Sequence, residues 1–257
     1  MTKPLAIVTT YGRLEVTQRM LASLEPSVHA LEVVIVDNGN PPAQLEWEKV
    51  WARANEATVI AVGMNVGCPR ALNLALAAYR QPGQAVIKLD NDILMPEDAR
   101  WLRGVERLVE TFLGSEFPVG LIGACFPEVN TSRVRGKTTW EFQTLYRIFP
   151  VIGHAVYHSG ALMDQVGFFD VLHSDHLYGF EDNLMSIKAT TLGFQCLAWT
   201  GWTITDIQRH SALGGRATVD AHIEAMRPLY NMRLQKLRLG GTPYTGPDGL
   251  PVGRKQE

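Results

Sequence analysis

The strongest constraint in this chain is a rhythm in its first hundred residues. Leu5–Thr10 (LAIVTT) is a short, β-branched apolar run, and the stretch after it spaces Leu14, Met20, Leu21 and Leu24 along a helical face that Pro26 is expected to close. The alternation repeats. Residues 31–36, 58–62 and 85–89 read as strands, and 45–54 and 69–79 as helices. Four such units fall within about 90 residues, with strands apolar on both faces. Strands of that kind belong in a parallel sheet with helices packed on either side, so the fold class is α/β.

The rhythm holds as far as Phe117 and then changes. A helix over 97–113 is opened by Pro96-Glu97-Asp98, with carboxylates in its positive first turn. Strands are expected over 119–125 and 139–148, with a charged loop over 130–137 between them, then over 151–157 and 194–200. Helices are expected over 160–167 and 181–192. The Gly- and Pro-rich tail from Gly240 is expected to be irregular and is a candidate for mobility.

Composition narrows the function classes. With 257 residues, 46% hydrophobic and 19% charged, the chain can bury a full core. Lys and Arg number 24 against 26 Asp and Glu, so no global field draws it to nucleic acid or an anionic membrane. Cys68, Cys125 and Cys196 are odd in number and far apart, which reads as core thiols in a reducing compartment and points to a cytoplasmic location. The longest uncharged stretches, 148–163 and 189–205, are too short to span a bilayer. Met1-Thr2-Lys3-Pro4 leads straight into a strand with no cleavage-site pattern, so no secretory leader is expected.

Two phosphate-binding fingerprints are missing. No GxGxxG follows any strand, and Gly136-Lys137-Thr138 has Thr131 where a P-loop has its first Gly. In their place stands Asp90-Asn91-Asp92 at the end of VIKLDNDI, at the carboxyl end of the fourth strand, where open α/β sheets bind ligands. Two carboxylates there suit one hard cation, Mn²⁺ or Mg²⁺, shared with a substrate's phosphates. An Asx-rich turn is the plainer reading of the tripeptide alone.

The company it keeps decides between them. Thr9-Thr10-Tyr11, Val36-Asp37-Asn38-Gly39, Asn65-Val66-Gly67 with Arg70 and Asn73, Asp90-Asn91-Asp92, Gly167-Phe168-Phe169-Asp170, Glu181-Asp182 and His210 stand in an order that resembles the family 2 glycosyltransferases of GT-A fold. The resemblance covers residues 5–210. It implies a three-layer α/β/α domain over 1–239 with a central mixed, mostly parallel sheet. Within it, 1–92 would bind the nucleotide-sugar and 93–239 the acceptor, and 240–257 would form the tail.

The resemblance also implies roles. Thr9, Thr10 and Tyr11, with Arg13, would line the nucleoside and diphosphate pocket, and Asp37, beside Asn38, would accept from the base's imide N–H, which suits a UDP-linked donor. Asn65, Gly67, Arg70 and Asn73 would meet the diphosphate at a helix N-terminus. Asp92, Asp90 and His210 would hold the cation, Asp90 and Asn91 also reaching the donor. Asp182, with Glu181, would take the acceptor's proton in a single inverting displacement.

Three alternatives have their own residues. His154, His158, His173 and His176, with Asp164, Asp170 and Asp175, could build a zinc hydrolase. A nucleotidyltransferase, or a binding protein that transfers nothing, shares the fold class, but the former carries a long Gly-rich loop where this chain has only Thr10-Tyr11-Gly12-Arg13. Finally, Arg227, Arg233, Lys236 and Arg238 lie in an acid-free span, either a solvated helix or a contact for a polyanion.

Overall fold

The computed structural model describes residues 2–126, 133–151, 153–207 and 216–252. The first half follows the expected alternation: β1 (Leu5–Thr10), α1 (Leu14–Val28), β2 (Glu32–Asp37), α2 (Pro42–Ala54), β3 (Thr58–Ala61), α3 (Cys68–Tyr79) and β4 (Val86–Asp90). The second half comprises β5 (Ile93–Leu94), α4 (Arg100–Phe112), β6 (Val119–Cys125), β7 (Val134–Trp140), β8 (Gln143–Ile148), β9 (Ala155–His158), α5 (Gly160–Val166), α6 (Glu181–Thr191), β10 (Gln195–Thr203), β11 (Thr205–Asp206) and α7 (Arg216–Arg238).

Among the described residues, nine strands form one sheet in the order β3-β2-β1-β4-β9-β6-β10-β8-β7. The β1, β2, β3 and β4 pairs are parallel, as is β6 with β10, while β9 runs antiparallel to both β4 and β6. The sheet is therefore mixed, and alternation along β1 shows its two covers. Ala6 and Val8 pack with Met20, Leu24 and Trp101 on the α1, α2 and α4 side, and Leu5 and Ile7 with Leu72, Leu76 and Met185 on the α3, α5 and α6 side. Burying each such Leu is worth roughly 1.5–3 kcal/mol, so both layers are held by apolar burial.

Four local expectations change. α1 continues past Pro26 to Val28, and Ser27 is buried with its hydroxyl accepting from Trp101 Nε1 at 2.9 Å. α4 starts at Arg100, because Asp98 Oδ1 accepts from the Arg100 N–H at 2.8 Å and ends the preceding turn. The stretch 139–148 is no single strand. β7 and β8 form a hairpin whose two turn residues, Glu141 and Phe142, have φ of 46° and 65°, a conformation for which Asn-Gly is the usual signal. Last, β9 is only Ala155–His158, shorter than the strand expected over 151–157, and Gly153 and His154 form a turn before it.

The tail is irregular, but 241–252 is fastened down. Thr245 is fully buried, its N–H donating to Val166 O at 2.9 Å, and Val171 N–H donates to Gly249 O at 2.9 Å. No helix among the described residues is long and apolar enough to cross a membrane.

Candidate active site

β4 delivers the chemistry because its two faces differ. Ile87 and Leu89 point into the apolar layer under α1 and α4, whereas Lys88 and Asp90 follow Val86 on the opposite face. Just beyond, Asp90, Asp92 and His154 bring one ligand atom each within 4.8 Å of one another. His154 Nδ1 is 3.3 Å from Asp90 Oδ2, and its ring meets Phe126 edge to face at 5.1 Å. Arg13, in a left-handed conformation, donates to Asp92 Oδ2 at 3.2 Å and to Asn91 Oδ1 at 3.0 Å.

Burial alone would raise the Asp90 carboxyl, but Lys88 and His154 outweigh it and hold it below the ordinary aspartate value. Asp92 goes the other way, raised by burial and by the charge of Asp90 against the pull of Arg13. Burial would also lower His154, and Asp90 reverses that.

Glu181 and Asp182 open α6 on the same side. Lys88, 2% exposed, reaches across to them: its Nζ donates to Asp182 Oδ2 at 3.0 Å and to Gly153 O at 2.7 Å, and stands 3.4 Å from Asp90 Oδ1 and 3.8 Å from Glu181 Oε1. Burial would lower the ammonium, but Asp182, Asp90 and Glu181 drive it well above its usual value. Glu181 is pushed up to about 7 by burial and by the adjacent Asp182. Asp182 Oδ1 has no hydrogen-bond partner among the described residues. Lys88 was invisible in the sequence because VIKLD reads as a strand with one interruption.

The nucleoside end is built by turns. Asp37 is buried, and its Oδ1 accepts from the N–H groups of Gly39 and Asn40, both at 3.1 Å, while Oδ2 has no hydrogen-bond partner among the described residues. Beside it lies the buried carboxyl of Glu48, which burial, helped by the charge of Asp37, pushes up to about 7 against hydrogen bonds from Gln44 and Thr10. Glu48 accepts from Gln44 Nε2 at 3.1 Å and Asn40 Nδ2 at 3.2 Å, and Asn40 also donates to Thr10 Oγ1 at 2.7 Å. Nothing in the helical spacing of α2 marked Glu48 as different from a solvated residue. Thr9 Oγ1 lies 3.9 Å from Cys68 Sγ, and Tyr11, two residues on, is half-buried.

The loop before α3 is the clearest departure from expectation. Asn38 and Asn65 bond each other at 2.9 Å, and Asn65 Oδ1 also accepts from the Gly67 N–H, so this pair ties two loops together. The Arg70 guanidinium donates to the carbonyls of Ser174 at 2.7 Å and His173 at 2.9 Å, and Asn73 is buried against both backbone polar groups of Phe169 at 2.9 Å. Both side chains hold the 169–177 segment where a diphosphate contact was expected. Gly67, at φ 88°, is needed there: a Cβ would lie 2.2 Å from His176 O.

The histidines separate. His158 is buried in β9 with Nδ1 3.3 Å from Val86 O and is pushed down to about 3 by burial, while His176 closes a loop on Gly179 O at 2.6 Å. Neither joins His154, so the four do not make one zinc site. His210 lies outside the described residues. Of the basic span, Arg233 is buried against Asp170 at 2.8 Å, and Arg227 pairs with Glu224 and sits 5.9 Å from the Phe180 ring centre. Arg233 is thereby withdrawn from any polyanion contact, because its charge is spent inside the fold.

The profile of glycosyl transferase family 2 matches residues 5–166. The chain belongs to this family. Its fold is GT-A. No curated protein matches it. Among solved structures, the Pyrobaculum calidifontis mannosyltransferase PcManGT in complex with GDP-Man and Mn²⁺ is 18% identical, with a TM-score of 0.64 over 91% of this chain and 68% of that one. S. aureus TarS 1-349 in complex with UDP-GlcNAc is 17% identical, with a TM-score of 0.58 over 89% of this chain. GalNAc-T7 with UDP, GalNAc and Mn²⁺ is 14% identical, with a TM-score of 0.61 over 90% of this chain. The chain spans 65% of that TarS fragment and 49% of GalNAc-T7.

Proposed function

We propose that this protein moves a sugar from a nucleotide diphosphate donor to an acceptor hydroxyl by a single displacement that inverts the anomeric carbon. The observation that carries this reading is one ammonium, Lys88 Nζ, lying 3.4 Å from Asp90 and 3.0 Å from Asp182. A candidate cation ligand and a candidate base therefore stand on either side of one small space.

Asp90, Asp92 and His154 offer two carboxylate oxygens and an imidazole nitrogen, a donor set that suits Mn²⁺ or Mg²⁺. When bound, the ion would offset the charge that grows on the leaving diphosphate. Asp182 accepts the proton of the attacking hydroxyl. An aspartate is a weak base for an alcohol, so it acts while the bond to the anomeric carbon forms and the proton becomes acidic. Arg13, already aimed at Asp92, is placed to follow the diphosphate.

Family membership, together with the GDP-Man and UDP-GlcNAc of the two similar structures, supports a nucleotide-sugar donor. Asp37, at the end of β2, is the candidate partner for a base with an imide N–H, hence a UDP- or dTDP-linked sugar. The test is a panel of UDP-, dTDP- and GDP-sugars with Mn²⁺, following nucleotide release. Release from at least one donor, lost in Asp182→Asn with donor binding retained, is expected. No release from any donor contradicts the reading.

A further inference from the structure

Lys88 is an expensive residue to bury. Removing an ammonium from water costs several kcal/mol unless it is fully paired, and an apolar side chain in the same place commonly does as well for stability. Here its three N–H donors meet three acceptors: Gly153 O at 2.7 Å, Asp182 Oδ2 at 3.0 Å and Asp90 Oδ1 at 3.4 Å. Each contact reaches the site. Asp182 is the base in the reading above, Asp90 is a candidate cation ligand, and Gly153 immediately precedes His154, another.

Resting on that assignment of Asp182, we propose that Lys88 is a positioning residue for the transfer. It fixes the carboxylate of the base relative to the strand that carries Asp90 and to the turn that carries His154. One side chain then sets the spacing between the group that activates the acceptor and the groups that receive the leaving diphosphate. Without it, Asp182 loses its only cationic partner among the described residues and turns away from the line of attack. Misplacement of a reacting group by about 1 Å costs on the order of 10²-fold in rate.

The test is a double-mutant cycle on the whole chain, with turnover of the fastest donor of the panel as readout. The variants are Lys88→Met, Asp182→Asn and the combination, with Lys88→Gln, which keeps a donor, as the milder replacement. Donor KM, thermal unfolding and Mn²⁺ binding by electron paramagnetic resonance accompany each. Lys88→Met is expected to lower kcat by about 10²-fold with donor KM changed only a few-fold and Mn²⁺ binding no weaker, and Lys88→Gln by less. In the Asp182→Asn background, either replacement should cost nothing further, since Lys88 acts through Asp182. A double variant slower by the product of the two single losses overturns the proposal, as does a folded Lys88 variant with wild-type kcat. Near-wild-type turnover in Asp182→Asn alone removes the base assignment itself, and the role of Lys88 with it.

Discussion

A Cβ placed on Gly153 would stand 1.7 Å from Oδ2 of Asp182 and 2.4 Å from its Cγ. The backbone of the turn before β9 is thus in direct contact with the carboxylate, and the same turn gives its carbonyl to Lys88. Gly153→Ala should push the carboxylate off Lys88 while leaving the apolar core untouched. We expect kcat to fall by about 10²-fold, because the carboxylate proposed as the base is displaced, with the melting temperature changed by only a few degrees. Steady-state kinetics and a thermal melt decide it.

His154 and His158 lie four residues apart and should respond differently. His154→Ala removes one of three grouped ligand atoms, so Mn²⁺ binding should weaken at least about tenfold with little loss of stability. His158→Ala empties a buried site against Phe169, and should destabilise the fold while leaving the affinity for Mn²⁺ unchanged. Equal effects on Mn²⁺ binding would contradict the assignment.

Glu48 makes stability depend on pH. Its folded value, about 7, lies above the ordinary 4.5, so the folded state binds the proton more tightly than the unfolded chain. The contribution is fully present below about 4.5 and is lost as pH rises through 7. A shift of that size corresponds to up to about 3 kcal/mol. Glu48→Gln, which imitates the protonated form, should flatten the decline between those pH values in urea titrations. Glu181, also near 7, leaves a residual slope.

The C-terminal helix is locked by charge. Asp170 pairs with Lys188 and with Arg233, all three buried, and Thr245 of the tail completes the cluster through Lys188 at 2.6 Å. Asp170→Asn leaves two buried cations without a countercharge. It should cost about 3–5 kcal/mol in chemical denaturation, with α7 and the tail loosening first.

Much of this was legible in residues read singly. The βα alternation and Asp90-Asn91-Asp92 follow from apolar periodicity and position at a strand end, signals that act over a few residues. What escaped depends on partners far along the chain. Lys88 gains meaning only through Asp182, 94 positions later, and Arg70 is claimed by carbonyls more than 100 positions away. His154 reaches Asp90 because β9 returns antiparallel beside β4, a pairing that no local pattern announces. The β7–β8 turn escaped for a different reason: Glu141 and Phe142 adopt positive φ without the residues that usually do so.

The most direct test of the account is the anomeric configuration of the product. With the fastest donor of the panel and Mn²⁺, proton NMR recorded during the reaction, before mutarotation, reports the first-formed sugar or glycoside. One base at Asp182 facing one departing diphosphate predicts the configuration opposite to the donor's. A product that keeps the donor's configuration would contradict single displacement and the role given to Asp182.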